Sequence, residues 1–228
     1  MSIRENQQII QNYFNKEFGD FNASYENPKE IKDFIRKISY RFNQKAIHGR
    51  LNAILELLGQ DCKEKEILDI GCGPGTYDIQ LAKRGAFVTG LDYSKGMIDI
   101  AKKNSQKENL NINFILGDIF DDHTKLFNDR KFDNVFSVGV AEYIDPRKHQ
   151  IFLQTLASLS KNFVIVSFPK KYTIHAIIRK IWLKLFKGFK IKFFSNREIQ
   201  NFAKNSGLKE VDRKDVGILW VIKFKKDV

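Results

Sequence analysis

Two spacings of apolar residues alternate along the chain. Short runs such as Ile67-Leu68-Asp69-Ile70, Phe87-Val88-Thr89-Gly90-Leu91 and Phe132-Asp133-Asn134-Val135-Phe136 have the length and the β-branched and aromatic content of buried strands. Between them, apolar residues recur at three- and four-residue steps, which marks helices buried along one stripe. Strands are therefore expected near 66–70, 87–91, 112–116, 132–137 and 162–168, with helices near 76–84, 95–105 and 148–160. Alternation of this kind predicts a parallel sheet joined by right-handed crossovers.

The flanks have their own rhythm. Residues 4–18 carry Ile9, Ile10, Tyr13, Phe14 and Phe18 at helical spacing before a stop at Gly19-Asp20, and are expected to form a lid helix. A second helical stretch runs from about Lys29 to Leu58 through Ile31, Phe34, Ile35, Ile38, Phe42, Ile47, Leu51, Ile54 and Leu55, with a bend expected near His48-Gly49. After Phe168-Pro169 the pattern becomes a basic, amphipathic insertion, followed by a helix near 196–205 and two last strands, Gly207–Val211 and Gly217–Phe224. One domain is expected over 1–228: a helical cap (1–60), a core (61–168), the insertion (169–195) and a C-terminal helix and hairpin (196–228).

Charge changes the picture at one place. The net charge is +12, and the window 170–192 alone holds eight Lys or Arg with no Asp or Glu. That window should meet something anionic. Within it Ile174, Ile178, Ile181 and Leu185 share a helical face, beside Ile177, Trp182 and Phe186, and Arg179, Lys180, Lys184 and Lys187 flank them. Such a stripe is expected to face a core as cover for the active site; the alternative is an anionic membrane surface. The N-terminus lacks a signal-peptide core and no apolar run approaches the ~18 residues of a spanning helix, so a cytoplasmic location is expected.

The densest chemical information lies in Ile67-Leu68-Asp69-Ile70-Gly71-Cys72-Gly73-Pro74-Gly75-Thr76, a strand running into a glycine-rich turn. Glycines at 71, 73 and 75 let the backbone take positive φ and approach a ligand closely. The helix that follows points its N-terminal N–H groups at the same cavity. A second strand ends in Asp92, seventeen residues beyond Gly75, where an acid can accept both hydroxyls of a ribose. Thr76 replaces the third glycine of a dinucleotide fingerprint, which disfavours a nicotinamide enzyme. Cys72 reads as a small residue in a tight turn rather than a nucleophile, and with only Cys62 besides it neither a disulfide framework nor a cysteine metal site is expected.

This run resembles motif I of the class I S-adenosylmethionine-dependent methyltransferases, acid-x-Gly-x-Gly-x-Gly. Asn113-Phe114-Ile115-Leu116-Gly117-Asp118-Ile119 and Phe132 to Val140 resemble the family's third and fourth strands in the expected order. The resemblance implies an α/β, Rossmann-like fold. Its seven-stranded, mostly parallel sheet has helices on both faces and an antiparallel last strand; the N-terminal lid and the basic insertion after the fifth strand are added to it. It also implies that S-adenosylmethionine is held by Asp69, Gly71, Cys72, Gly73, Gly75, Thr76, Asp92, Tyr93, Met97, Asp118, Ile119 and Val138. Asp69 would face the amino-acid end, Asp92 the ribose and Asp118 the adenine.

A narrower likeness joins Tyr13-Phe14-Asn15, Phe21, Tyr25, Leu81 to Ala86 and Ser167-Phe168-Pro169 to the magnesium-protoporphyrin O-methyltransferases. The chain departs from that family in lacking its Arg-Trp pair and in having Tyr143 where His is expected.

Methyl transfer asks the protein mainly to align an acceptor and exclude water. The candidates for contact with the acceptor are Glu142 and Tyr143, where the fourth strand ends. Tyrosine is a poor base at neutral pH, so Tyr143 would donate or orient, and an acid at that point more commonly satisfies the backbone of a helix start. His48, His123, His149 and His175 are expected on the surface or as caps, with a substrate contact the alternative for His175; their scatter predicts no metal.

No Asn/Asp-Pro-Pro-Tyr or Pro-Cys motif follows the fourth strand, which lowers the weight of nucleic-acid and protein acceptors. The expected activity is O-methylation of a small or amphipathic molecule. RNA methylation and a non-catalytic cofactor-binding scaffold are the alternatives, and oligomeric state is left open.

Overall fold

The computed structural model describes residues 2–16, 47–59 and 62–227. Seven strands form one sheet: β1 (Glu66–Ile70), β2 (Phe87–Asp92), β3 (Asn113–Leu116), β4 (Phe132–Ser137), β5 (Ser160–Pro169), β6 (Leu208–Asp215) and β7 (Leu219–Lys226). Their spatial order is β3-β2-β1-β4-β5-β7-β6. β1 to β5 are mutually parallel and β7 runs antiparallel to both β5 and β6. The order reverses between β1 and β4, and the crevice at their carboxyl ends is where open sheets of this kind take ligands.

The helices are α1 (Ile3–Lys16), α2 (47–58), α3 (Thr76–Ala82), α4 (Lys95–Lys107), α5 (His123–Phe127), α6 (His149–Leu159), α7 (Ile174–Trp182) and α8 (Asn196–Asn205). Alternate strand residues sort into two cores. Leu68, Val135, Val164, Val166 and Ile222 pack with Phe152 and Leu156 of α6 and Ile199 of α8. Their sequence neighbours Ile67, Phe136, Ile165 and Val221 pack on the opposite face with Ile54 and Leu57 of α2, Leu81 of α3 and Ile98 of α4. A sheet covered on both faces explains why its strands read as continuous apolar runs.

Several expectations are corrected. His48 and Gly49 fall in the first turn of α2, and the chain before residue 47, against which the bend is expected, lies outside the described residues. The helix start near Lys29, the stop at Gly19-Asp20 and the aromatic residues Phe21 and Tyr25 lie outside the described residues. α5 is an added element, a short turn capped by Asp122 and ended by Asn128 in the left-handed region, too brief to leave a periodic signal. β6 runs four residues past Val211: its Asp212 to Asp215 are polar because the strand is the sheet's edge, and Arg213 pairs with Glu210 over the Trp220 ring. His149 is buried in the core, stacked on Phe202 and bonded to the Ala141 and Pro146 carbonyls, rather than a surface cap.

The insertion differs most. Thr173 caps α7 through its side chain, which accepts from Ala176 N–H at 3.1 Å. The chain widens into a π turn at Leu183–Lys187 and then returns without regular secondary structure to Phe194, which bridges to Lys170. Ala176, Leu183, Phe189, Ile191 and Phe193 pack with Ile10 of α1 in a third, smaller cluster, while the isoleucine stripe predicted to face a core is exposed. The spacing is the same whichever surface covers a stripe, so it could not tell core from exterior.

Candidate active site

The glycine turn is held from beneath by β2. The N–H groups of Gly71 and Cys72 both donate to the Leu91 carbonyl, at 2.7 and 3.1 Å, and Asn104 of α4 donates to the Pro74 carbonyl at 3.1 Å. The three glycines answer to different demands. Gly71 and Gly73 line the cavity, and a Cβ on Gly73 (φ +53°) would meet no protein atom within 4 Å but project into open space. Gly75 (φ +76°) is a packing position, because a Cβ there would lie 3.0 Å from Phe114 and 3.2 Å from Ala101. It does not line the cavity.

Asp92 ends β2 with both carboxylate oxygens anchored, accepting from Gly73 N–H at 2.9 Å and from Ser94 N–H at 2.9 Å. Asp92 lines the cavity and each of its oxygens has accepted only one bond within the protein, so the carboxylate has the capacity to receive two vicinal hydroxyls. Burial raises its pKa, and the two backbone bonds oppose that rise. Asp69 behaves differently from expectation. It is fully buried behind the turn, off the cavity wall, facing Asp78 of α3. Burial raises the pKa of both acids, Asp78 to about 7, so the pair retains a proton near neutrality.

The cavity measures about 590 Å³, within the range of small-molecule sites. Besides Gly71, Gly73 and Asp92, its wall takes in Cys72, Thr76, Tyr93, Met97, Asp118, Ile119 and Val138, all foreseen from sequence. Asp118 shapes its own loop, accepting from Phe120 N–H at 3.0 Å while its N–H donates to Asp121 at 3.1 Å. Burial raises the pKa of the Cys72 thiol, which keeps it protonated and argues against a nucleophilic role.

At the other end, beyond β4, Glu142 and Tyr143 sit on a short 3-10 turn and both line the cavity. Glu142 is 4% exposed; its Oε1 lies 3.8 Å from Arg179 of α7, and among the described residues its Oε2 has no hydrogen-bond partner. It therefore does not cap the turn, as an acid at a helix start would. Tyr143 packs edge-on against Phe14 of α1, with ring centroids 5.0 Å apart. Its hydroxyl accepts from Arg179 at 3.0 Å, and burial raises its pKa, so it stands as a neutral phenol with its proton to donate. His175 lines the mouth, its pKa lowered by partial burial and by the charges of Arg179 and Arg50.

The roof is α1 and the insertion together. Gln7, Ile10 and Phe14 line the cavity, Gln7 donates to the Tyr143 carbonyl at 3.0 Å, and Ser94 donates to the Phe14 carbonyl at 3.1 Å. Asn6 closes the edge by pairing both ways with the Lys190 backbone. Sequence reasoning missed Arg50, Gln7 and the inward aim of Arg179. Arg50 had left a signal, a charge three residues after Ile47 and four before Ile54 on the apolar side of α2.

Comparison with known proteins places this geometry. A family model described as a methyltransferase domain matches residues 67–162. The ubiquinone biosynthesis O-methyltransferase of Coxiella burnetii is 31% identical over 160 residues, covering 66% of this chain and 66% of that relative. That of Rickettsia typhi is 31% identical over 152 residues, covering 61% and 59%. The chain thus spans about two thirds or less of the length of these curated relatives.

Among solved structures, magnesium protoporphyrin IX methyltransferase of Synechocystis PCC 6803, with bound S-adenosylhomocysteine, superposes with a TM-score of 0.76 at 20% identity, over 97% of this chain and 99% of that one. An S-adenosylmethionine-dependent methyltransferase from Mesorhizobium loti gives 0.62 at 17% identity, over 79% and 98%. Residues 67–162 thus carry a methyltransferase domain, on the fold shared with these S-adenosylmethionine-dependent enzymes, and its methyl donor is S-adenosylmethionine.

Proposed function

We propose that this chain methylates an oxygen of a small or amphipathic acceptor. The observation that carries the reading is the buried Glu142 carboxylate on the cavity wall, with Oε2 unpartnered among the described residues. A buried carboxylate oxygen without a partner is costly, and the hydroxyl of a bound acceptor satisfies it.

S-adenosylmethionine supplies a methyl carbon already activated by the sulfonium charge. The residues around it bind and align. Asp92 takes the ribose hydroxyls, the backbone at Gly71 and Gly73 lies against the donor, and Tyr93, Met97, Ile119 and Val138 supply apolar walls with Asp118 at the adenine. Asp69, lying behind the turn, acts by fixing it with Asp78. With S-adenosylmethionine bound, Glu142 would take the proton of the acceptor hydroxyl, Tyr143 would donate a hydrogen bond that orients the acceptor, and Arg179 would hold both side chains in place, the S–C bond electrons leaving with the thioether product. His175 at the mouth contacts the part of the acceptor that extends outward. The relatives named as ubiquinone biosynthesis O-methyltransferases support transfer to oxygen.

The test is transfer of a labelled methyl group to a panel of phenols, carboxylic acids, amines and RNA. Label in an ether or ester is the expected product. Label in amines or RNA alone would overturn the oxygen assignment.

A further inference from the structure

Half of the exposed large hydrophobic side chains among the described residues lie in one stretch of fourteen. They are Tyr172 (80% exposed), Ile174 (78%), Ile177 (60%), Ile178 (61%), Ile181 (55%) and Leu185 (70%). At about 100° per residue the five aliphatic positions fall within an arc of about 100° on α7 and the turn that prolongs it. The opposite side of the helix is already used: Ala176 and Leu183 are buried with Ile10 of α1 and with Phe189, Ile191 and Phe193 of the returning segment. A third side, with His175 and Arg179, faces the cavity. This one helix therefore roofs the acceptor end while showing the exterior a continuous apolar strip, of the kind that marks an interaction site rather than chance exposure.

We infer that α7 docks on an anionic lipid surface and sets the mouth of the active site against it. Charge identifies the occupant. The stretch 170–192 carries eight Lys or Arg and no acid. Although Lys170, Lys171, Arg179 and Lys192 are engaged by Asp215, Glu142 or Glu198, Lys180 and Lys190 are exposed, Lys180 over the Phe193 ring beside the strip.

An apolar face bordered by cations is the signature of a helix lying in the plane of a bilayer interface, with the isoleucines among the acyl chains and the lysines at the phosphates. Tyr172 at the start of the strip is of the residue type that sits at headgroup level. No helix among the described residues is long and apolar enough to cross a membrane, so the contact is one of surface docking. RNA would be met by the cations but would leave the isoleucines in water, and a second copy of this chain would bring the same positive charge against itself.

The experiment is co-sedimentation of the full chain with vesicles of phosphatidylcholine alone or in equal mixture with phosphatidylglycerol. Wild type, Ile178→Asn/Ile181→Asn and Lys180→Gln are compared, each checked by thermal unfolding. Binding to the anionic vesicles is expected, weakened by added salt, reduced at least tenfold by the double isoleucine change and several-fold by Lys180→Gln, at unchanged unfolding temperature. The altered side chains are exposed, so their loss does not unfold the helix.

No binding to anionic vesicles, or binding indifferent to the isoleucine change, would overturn the inference. So would a dimer in analytical ultracentrifugation that the double variant dissociates, or RNA binding that survives that variant while lipid binding is absent. None of these readouts depends on methyl transfer, so the result stands apart from the choice of acceptor.

Discussion

Arg179 donates a hydrogen bond to the Tyr143 hydroxyl at 3.0 Å, linking residues 36 positions apart. One stands on the insertion and the other where β4 ends, so the lid and the chemistry share a contact. Because the phenol accepts from Arg179 and burial raises its pKa, the role proposed for it is donation and orientation. Tyr143→Phe is expected to lower kcat about tenfold, the worth of one hydrogen bond, without moving either limb of the pH–rate profile. Loss in that variant of a limb that rises with pH in wild type would show that the phenolate is the working form.

Glu142→Gln replaces the proposed proton acceptor with a group of the same shape. The kcat for a hydroxyl acceptor should fall by about a hundredfold or more, with S-adenosylhomocysteine affinity retained. Unchanged turnover would assign Glu142 to packing.

The glycines of the turn should separate by phenotype. Gly73→Val points a side chain into open cavity and should abolish cofactor binding. Gly75→Ala meets Phe114 and Ala101 at positive φ and should cost about 2 kcal/mol of stability, read as a lower unfolding temperature. Equal effects of both variants on binding and on stability would contradict the division.

Asp69 and Asp78 predict a pH dependence of stability. Burial raises both pKa values, Asp78 to about 7. The unfolded chain ionises these acids at ordinary carboxylate pH, whereas the folded chain resists. Their contribution is therefore present in acid and lost as pH rises from the ordinary carboxylate range through about 7. Asp78→Asn removes one titration, so the variant should lose less stability than wild type between pH 5 and pH 8. Parallel unfolding curves for the two proteins would refute the buried pair.

Much of the site is legible in sequence because it is built from strand ends. A parallel sheet brings the residues just after β1, β2, β3 and β4 to one edge, so Gly73, Asp92, Asp118 and Glu142 converge once the strands are recognised. What escaped is set by the third dimension. Nothing in the spacing of Asp69 and Asp78 tells that they meet behind the turn, or that Gly75 serves Phe114 rather than a ligand. The stripe on α7 read as core because sequence gives its period and not its neighbour. Arg179, read as flanking the stripe, turns inward because Glu142 lies beneath it in the fold.

The central claim is that the turn after β1 and the acid ending β2 form the cofactor site. Isothermal titration calorimetry with S-adenosylhomocysteine, on wild type and Asp92→Ala side by side, tests it most directly. The account predicts binding by wild type and at least a tenfold loss in the variant, with unfolding temperature preserved. Equal affinity in the two proteins, or no binding by wild type, would contradict it.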